Sequence, residues 1–119
     1  MCADIDEKAL KKDLGESADD SNVRYFAGDL REKLTLANLL SATVDAFDRV
    51  DVLVNASRQI VPTNPLDMDD DTVDKLLQQN LMTSLRLSQL VAKRMIKQDE
   101  EQDHEFAGTI INLSSIAAR

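Results

Sequence analysis

Short apolar runs alternate along the chain with longer stretches in which apolar residues recur every three or four positions. That alternation predicts an α/β fold built on a parallel sheet. Residues 1–3 are a short apolar run that ends at Asp4, Asp6 and Glu7, after which Ala9, Leu10 and Leu14 fall at near-helical spacing. A strand end leading into a short helix is expected there. Residues 15–21 (GESADDS) form a polar, turn-rich connector, and residues 23–27 (VRYFA) have the aromatic and β-branched content of a buried strand, closed by Gly28 and Asp29. Over residues 31–48, Leu36, Leu39, Leu40, Val44 and Phe47 lie on one helical stripe.

A further buried strand is expected at residues 50–54, interrupted only by Asp51, and residues 55–65 then carry both prolines without periodicity, as a loop does. Asp69, Asp70, Asp71 and Thr72 precede the next stripe. Three adjacent aspartates at that place read as a helix N-terminus, whose unpaired N–H groups favour negative charge, and no metal site is assigned. The helix is expected to be long, reaching about Ile96, with Val73, Leu76, Leu77, Leu81, Ser84, Ser88, Val91 and Met95 on one broad face. Leu85, Leu87 and Leu90 widen the apolar area beyond what one sheet covers, so a second partner, another helix or another subunit, is expected. Residues 97–105 (KQDEEQDHE) read as a solvated charged connector containing the single histidine, His104, to which no catalytic role is given. Residues 108–113 (GTIINL) read as a strand that ends in Ser114 and Ser115.

Composition narrows the classes of partner. Fourteen Lys and Arg against twenty-two Asp and Glu leave a net charge of −8 on 119 residues, which disfavours nucleic acid and an anionic membrane surface as partners. Cys2 has no second cysteine with which to form an internal disulfide. No apolar run approaches the roughly 18 residues a membrane span needs, and no signal peptide is evident, so a cytoplasmic location is expected.

Some polar residues occupy places that need a reason. Asn80 falls inside the apolar stripe between Leu77 and Leu81, where an unpaired amide costs on the order of 1–3 kcal/mol, so it must have a partner. Asn55 and the pair Ser114 and Ser115 directly follow apolar strand candidates, and in an open parallel sheet the C-terminal strand ends line the ligand crevice. Asp4 and Asp29 also end strands. An acidic residue there can accept hydrogen bonds from a nucleotide ribose and its charge opposes a 2′-phosphate; helix capping is the plain alternative for both.

Taken in order, these residues resemble the short-chain dehydrogenase/reductase family across nearly the whole chain. The matching segments are CADID at 2–6, FAGDL at 26–30, VDVLVNAS at 50–57, QQNLMTSLRLSQ at 78–89 and GTIINLSSIAAR at 108–119. Asp4, Asp29, Asn55, Asn80 and Ser115 follow one another at intervals of 25, 26, 25 and 35 residues, and the last interval is longer than the family's usual one. The resemblance implies a Rossmann-like, doubly wound parallel sheet, represented here from its second to its fifth strand, with residues 1–119 forming part of a single NAD(P)-binding domain. It also implies that Asp4 holds the adenosine ribose hydroxyls, favouring NAD over NADP, and that Asp29 with the backbone of Leu30 lies against the adenine ring. Asn55 matches the first asparagine of the family's NNAG segment beside the cofactor. The chain departs from that segment, reading Asn55-Ala56-Ser57-Arg58, so either the second asparagine is substituted or one residue is deleted, and Ala56 is carried over as a cofactor-side position. Asn80 corresponds to the helix asparagine that supports the proton relay, and Ser115 to the serine that binds the substrate oxygen.

The family's Gly-rich TGxxxGIG turn and its YxxxK pair have no counterpart in the sequence, in which Tyr25 is the only tyrosine. The chain is therefore expected to be an internal part of a longer enzyme, because a doubly wound sheet without its first strand is left with two separated edges. The implied activity is hydride transfer between a nicotinamide cofactor and an alcohol or ketone, in a homodimer or homotetramer. The alternative is a non-catalytic, reductase-like nucleotide-binding or regulatory module. A receiver-like domain is disfavoured, since its acidic, Thr/Ser and Lys strand ends do not occur in that order.

Overall fold

A computed structural model describes residues 1–19, 21–102 and 107–115 of the chain. The residues cluster into two compact units, Met1–Val50 and Asp51–Arg119.

In the first unit, β1 (Cys2–Asp4), α1 (Glu7–Leu14), β2 (Tyr25–Ala27) and α2 (Lys33–Phe47) follow in that order, with a 3-10 turn at Gly15–Asp19 where the sequence reads as a connector. The two strands are parallel, Cys2 opposite Tyr25 and Asp4 opposite Ala27. Backbone bonds extend the ladder at both ends, from Cys2 N–H to the Arg24 carbonyl (2.8 Å) and from Gly28 N–H to the Asp4 carbonyl (2.9 Å). The strand is shorter than the apolar run, because residues 23–24 lie outside it. Asp6 caps α1, its carboxylate accepting from Ala9 N–H. Among the described residues of this unit, the buried apolar ones are Leu30, Leu36 and Leu39. The helix α2 ends at Asp48, which takes a left-handed φ of 66° and donates its N–H to the Val44 carbonyl, a stop that aspartate tolerates better than most residues.

The second unit holds β3 (Val52–Asn55), α3 (Asp70–Leu77), α4 (Thr83–Gln102) and β4 (Thr109–Asn112). Its strands are also parallel, Val52 opposite Thr109 and Asn55 opposite Asn112. The described strands therefore form two two-stranded sheets, β1 with β2 and β3 with β4. The carboxylate of Asp69 accepts from Thr72 N–H at 2.6 Å, so the acidic cluster is the helix cap that its position predicts. Among the described residues no group of three or more acidic, His or Cys side chains is placed to hold a metal ion. No described helix is long and apolar enough to cross a membrane.

The structure changes the picture of the long helix in two respects. Its run from Asp70 to Gln102 has no gap but contains an irregularity: five residues, Gln78–Met82, form a π-helical segment between α3 and α4. The Thr83 hydroxyl donates to the Gln78 carbonyl at 2.9 Å, and the Thr83 N–H reaches the same carbonyl. That five-residue step inserts one residue into the helical repeat and rotates everything after it. The buried residues of α4 are Thr83, Leu87, Val91, Met95 and Gln98, while Leu77, Leu81 and Leu85 lie exposed. Leu87 thus belongs to the core, not to the excess. The second change is the end of the helix, which continues six residues past Ile96 into the charged stretch. Arg94 Nε donates to Gln98 Oε1 at 3.1 Å and Lys97 faces Glu101 at 3.8 Å, pairs one turn apart that favour helix over connector. His104 lies outside the described residues.

Candidate functional site

The polar residues singled out in the sequence sit at the C-terminal ends of the strands, in two groups, one in each unit. In the first, Asp4 closes β1, is exposed, and accepts the Asp6 N–H on Oδ1 at 2.9 Å. Asp29 follows β2 by two residues. Neither is a helix cap, since Asp6 caps α1 and the position before α2 belongs to Glu32, which makes no side-chain cap bond. Gly28 sits in close quarters at these strand ends: a Cβ there would lie 2.7 Å from Thr35 Cγ2 and 3.0 Å from Phe26 Cε1, so a side chain there requires Thr35 or Phe26 to shift.

The Asp29 carboxylate is held by one neighbour. Arg31 donates its backbone N–H and Nε to Oδ1 (3.0 and 2.9 Å) and Nη2 to Oδ2 (2.6 Å). The guanidinium bonds hold the carboxyl of Asp29 below the usual aspartate value, against the opposing effect of partial burial. Leu30, between them, is buried. Arg31 was not singled out in the sequence; its position two residues after a strand-end aspartate is the only local signal.

In the second group, Asn55 closes β3 and is 8% exposed. Its Nδ2 donates both to Asn112 Oδ1 (2.8 Å) on β4 and to Ser88 Oγ (2.9 Å) on α4. Asn112 is its register partner, and Leu113 N–H bonds the Asn55 carbonyl at 3.1 Å, so the ladder runs past the last residue of β4. Ala56, directly after Asn55, is exposed, and so are Ser114 and Ser115 beyond β4. Ser88 and Asn112 escape sequence reasoning because their role depends on strand register and helix phase.

Asn80 sits in the π-helical segment and is exposed rather than enclosed by an apolar stripe, which corrects the reason given for its partner. The partner exists nonetheless. Asn80 Oδ1 accepts Gln59 N–H at 2.7 Å and Asn80 Nδ2 donates to the Gln59 carbonyl at 2.9 Å. A side-chain amide thus pairs with a backbone amide as a strand would, tying the loop after β3 to the helix. Asn80 is thereby bonded to the loop that begins directly after Asn55.

The chain matches the model of the short chain dehydrogenase family over residues 1–119. It belongs to that family. An uncharacterized oxidoreductase of Staphylococcus epidermidis is 26% identical over 106 residues, which are 87% of this chain and 43% of that protein. The dehydrogenase-family chain thus spans less than half the length of that relative. Among solved structures, it is similar to an apo SCOR enzyme from Clostridium thermocellum (29% identity, TM-score 0.78, 98% of this chain and 43% of that one). It is also similar to an NADH-dependent reductase A1-R′ complexed with NAD (25% identity, TM-score 0.70, 81% and 39%). The fold is accordingly a Rossmann-like α/β architecture, of which this chain shows two short parallel strand pairs.

Proposed function

We propose that the chain supplies part of the single nucleotide-binding domain of an NAD(P)-dependent oxidoreductase that moves a hydride between nicotinamide and an alcohol or ketone carbon. The observation that carries this reading is the pair of aspartates, Asp4 and Asp29, at the C-terminal ends of two adjacent parallel strands. Carboxylates only accept hydrogen bonds, and ribose hydroxyls and an exocyclic amine donate them, so the residues present fit an adenosine moiety. A bound nicotinamide dinucleotide supplies the hydride chemistry; the chain's own side chains bind, orient and move protons.

In this reading Asp4 accepts from the ribose hydroxyls, and its charge disfavours a 2′-phosphate, hence NAD over NADP. Asp29 and the Leu30 backbone face the adenine. Asn55 and Ala56 form the strand end beside the cofactor. Ser115 hydrogen-bonds the substrate oxygen. Asn80, held by Gln59, keeps the helix open at the π-helical segment and supports the proton relay. The exposed Leu77, Leu81 and Leu85 lie one turn apart and suit a subunit contact, in a homodimer or homotetramer. Such an enzyme works in the cytoplasm, without nucleic acid or membrane as a partner.

Titration calorimetry on the full-length protein tests the reading. NADH should bind more tightly than NADPH, and Asp4→Ala should weaken NADH binding and narrow the gap. Equal affinities in the parent protein, or no effect of Asp4→Ala, would remove the assignment. A loss of ketone-dependent NADH oxidation in Ser115→Ala with NADH binding retained separates the catalytic role from the binding one. Light scattering that returns the mass of one subunit would reject the oligomer.

A further inference from the structure

Arg58 is the last residue of the segment in which the chain departs from its family, Asn55-Ala56-Ser57-Arg58, and it lies in the loop past the C-terminal end of β3. Among the described arginines it alone makes no hydrogen bond or ion pair; Arg24, Arg31, Arg49, Arg86 and Arg94 each have a partner. In a chain of net charge −8 a guanidinium is seldom short of carboxylates, so one that meets none of them is open to an anion from outside.

Its backbone is nonetheless held. The peptide that joins Arg58 to Gln59 donates its N–H to Asn80 Oδ1 at 2.7 Å, and the Gln59 carbonyl accepts from Asn80 Nδ2 at 2.9 Å. The planar unit after Arg58 is therefore tied to the helix, while the exposed side chain is not. Strand register sets its place relative to Ser115. Asn55 and Asn112 lie opposite each other in parallel strands, and Leu113 N–H bonds the Asn55 carbonyl at 3.1 Å. Arg58 and Ser115 each follow their member of that pair by three residues. Both thus leave neighbouring strands, about 4.8 Å apart, at the C-terminal edge where open parallel sheets bind their ligands.

We propose that Arg58 binds a carboxylate of the substrate, which is then an oxo acid or the matching hydroxy acid, held by its carbonyl or hydroxyl oxygen at Ser115 and by its carboxylate on the Arg58 guanidinium. A planar fork of N–H donors matches the two carboxylate oxygens, and it offers an anion a place on a chain whose net charge otherwise repels it. The proposal rests on the reading above that Ser115 binds the substrate oxygen.

The test measures NADH oxidation by the full-length protein with pyruvate, acetoacetate and levulinate, each against its methyl ester. For the best pair, the parent protein shows a kcat/KM for the acid on the order of tenfold to a hundredfold above that for the ester, the ratio expected of hydrogen bonds between charged groups. Arg58→Leu brings that ratio close to one through the KM of the acid, with the constants for the ester and the calorimetric affinity for NADH unchanged. Arg58→Lys, which keeps the charge and loses the fork, gives an intermediate ratio and serves as the measurement if the leucine variant does not fold. A parent protein that reduces none of the acids, or favours the esters, overturns the proposal. So does a leucine variant that lowers acid and ester alike, the mark of a structural role, or one that weakens NADH binding and keeps the ratio, which would put the guanidinium on the cofactor diphosphate. Ser115→Ala separates the two levels: turnover of acid and ester retained in that variant removes the reading of Ser115, whereas turnover lost there, with the acid preference intact in both Arg58 variants, removes only the role of Arg58.

Discussion

Asn55 is where two strands and a helix are fastened together, and removing its amide has a cost that the geometry sets. The residue is 8% exposed and donates to Asn112 at 2.8 Å and to Ser88 at 2.9 Å. Asn55→Ala deletes both bonds. Each is neutral and contributes about 1 kcal/mol net. Asn112 is exposed, so water replaces the amide there and softens the loss, whereas Ser88 is half-buried on α4. The expected loss is about 1.5–2 kcal/mol, measured by urea unfolding of the full-length protein at fixed concentration. Ser88→Ala leaves a donor of Asn55 without its acceptor inside the structure, which costs about 1–2 kcal/mol, the desolvation side of the same interaction. The decisive quantity is the coupling in double-mutant cycles. Asn55 with Ser88, and Asn55 with Asn112, should each show about 0.5–1 kcal/mol of interaction. Thr43, whose hydroxyl bonds Leu39 on α2, is the additive control. Cycles in which both pairs are additive to within about 0.3 kcal/mol would refute the network.

Three further outcomes follow from single contacts. Gly108 has φ of +157° and a Cβ there would lie 2.8 Å from Met95 Cγ; Met95 is buried, so Gly108→Ala should cost about 1–3 kcal/mol by overpacking, and Met95→Ala should relieve part of that cost in the double variant, additive costs counting against the contact. Asp29 has a carboxyl held below its ordinary value near 3.8 by Arg31, so it contributes stability that is present above that pH and lost as the pH falls below it. Arg31→Leu should therefore flatten the acid limb of the stability curve under pH 4, and an unchanged limb would deny the ion pair any effect in solution. Asp69→Ala removes the acceptor of Thr72 N–H and should lower the thermal midpoint, with faster hydrogen exchange concentrated in the first-turn amides of α3 if the cap is the cause.

Strand ends were legible in the sequence because the transition from apolar run to Asp, Asn or Ser is a local event. Asp4, Asp29, Asn55 and Ser115 each sit within three residues of the end of a strand. The cap at Asp69 was legible for the same reason. The end of α4 was not, because high charge density reads as solvated connector until the pairs Arg94 with Gln98 and Lys97 with Glu101 are seen to lie one turn apart. The pairing of Asn55 with Asn112 depends on a register between residues 57 positions apart, which no local pattern states. The Arg31 fork was hidden differently, since an arginine near an aspartate is ordinary in sequence and becomes specific only through the four distances between them.

Asn80 shows how a sound energetic argument can reach a right conclusion by a wrong cause. The amide lies between Leu77 and Leu81 on a helical stripe, and the cost of burying it demanded a partner. In the structure that stripe is itself exposed, Leu77 at 48% and Leu81 at 56%, so burial demands nothing of Asn80. Its two bonds to Gln59, at 2.7 and 2.9 Å, answer a different need. The loop after β3 carries an unpaired backbone amide past the helix, and the π-helical segment carries one residue more than a regular helix accommodates. A side chain that offers one acceptor and one donor side by side satisfies the loop where the helix is irregular. The apolar periodicity failed at this point because a five-residue step shifts the phase by about one residue, some 100°. The residues that then face the core, Thr83, Leu87, Val91 and Met95, repeat every four. The step therefore accounts for Thr83 and Leu87 joining Val91 and Met95 in the core, whereas Leu77, which precedes it, and Asn80 within it are exposed independently of the shift it imposes downstream.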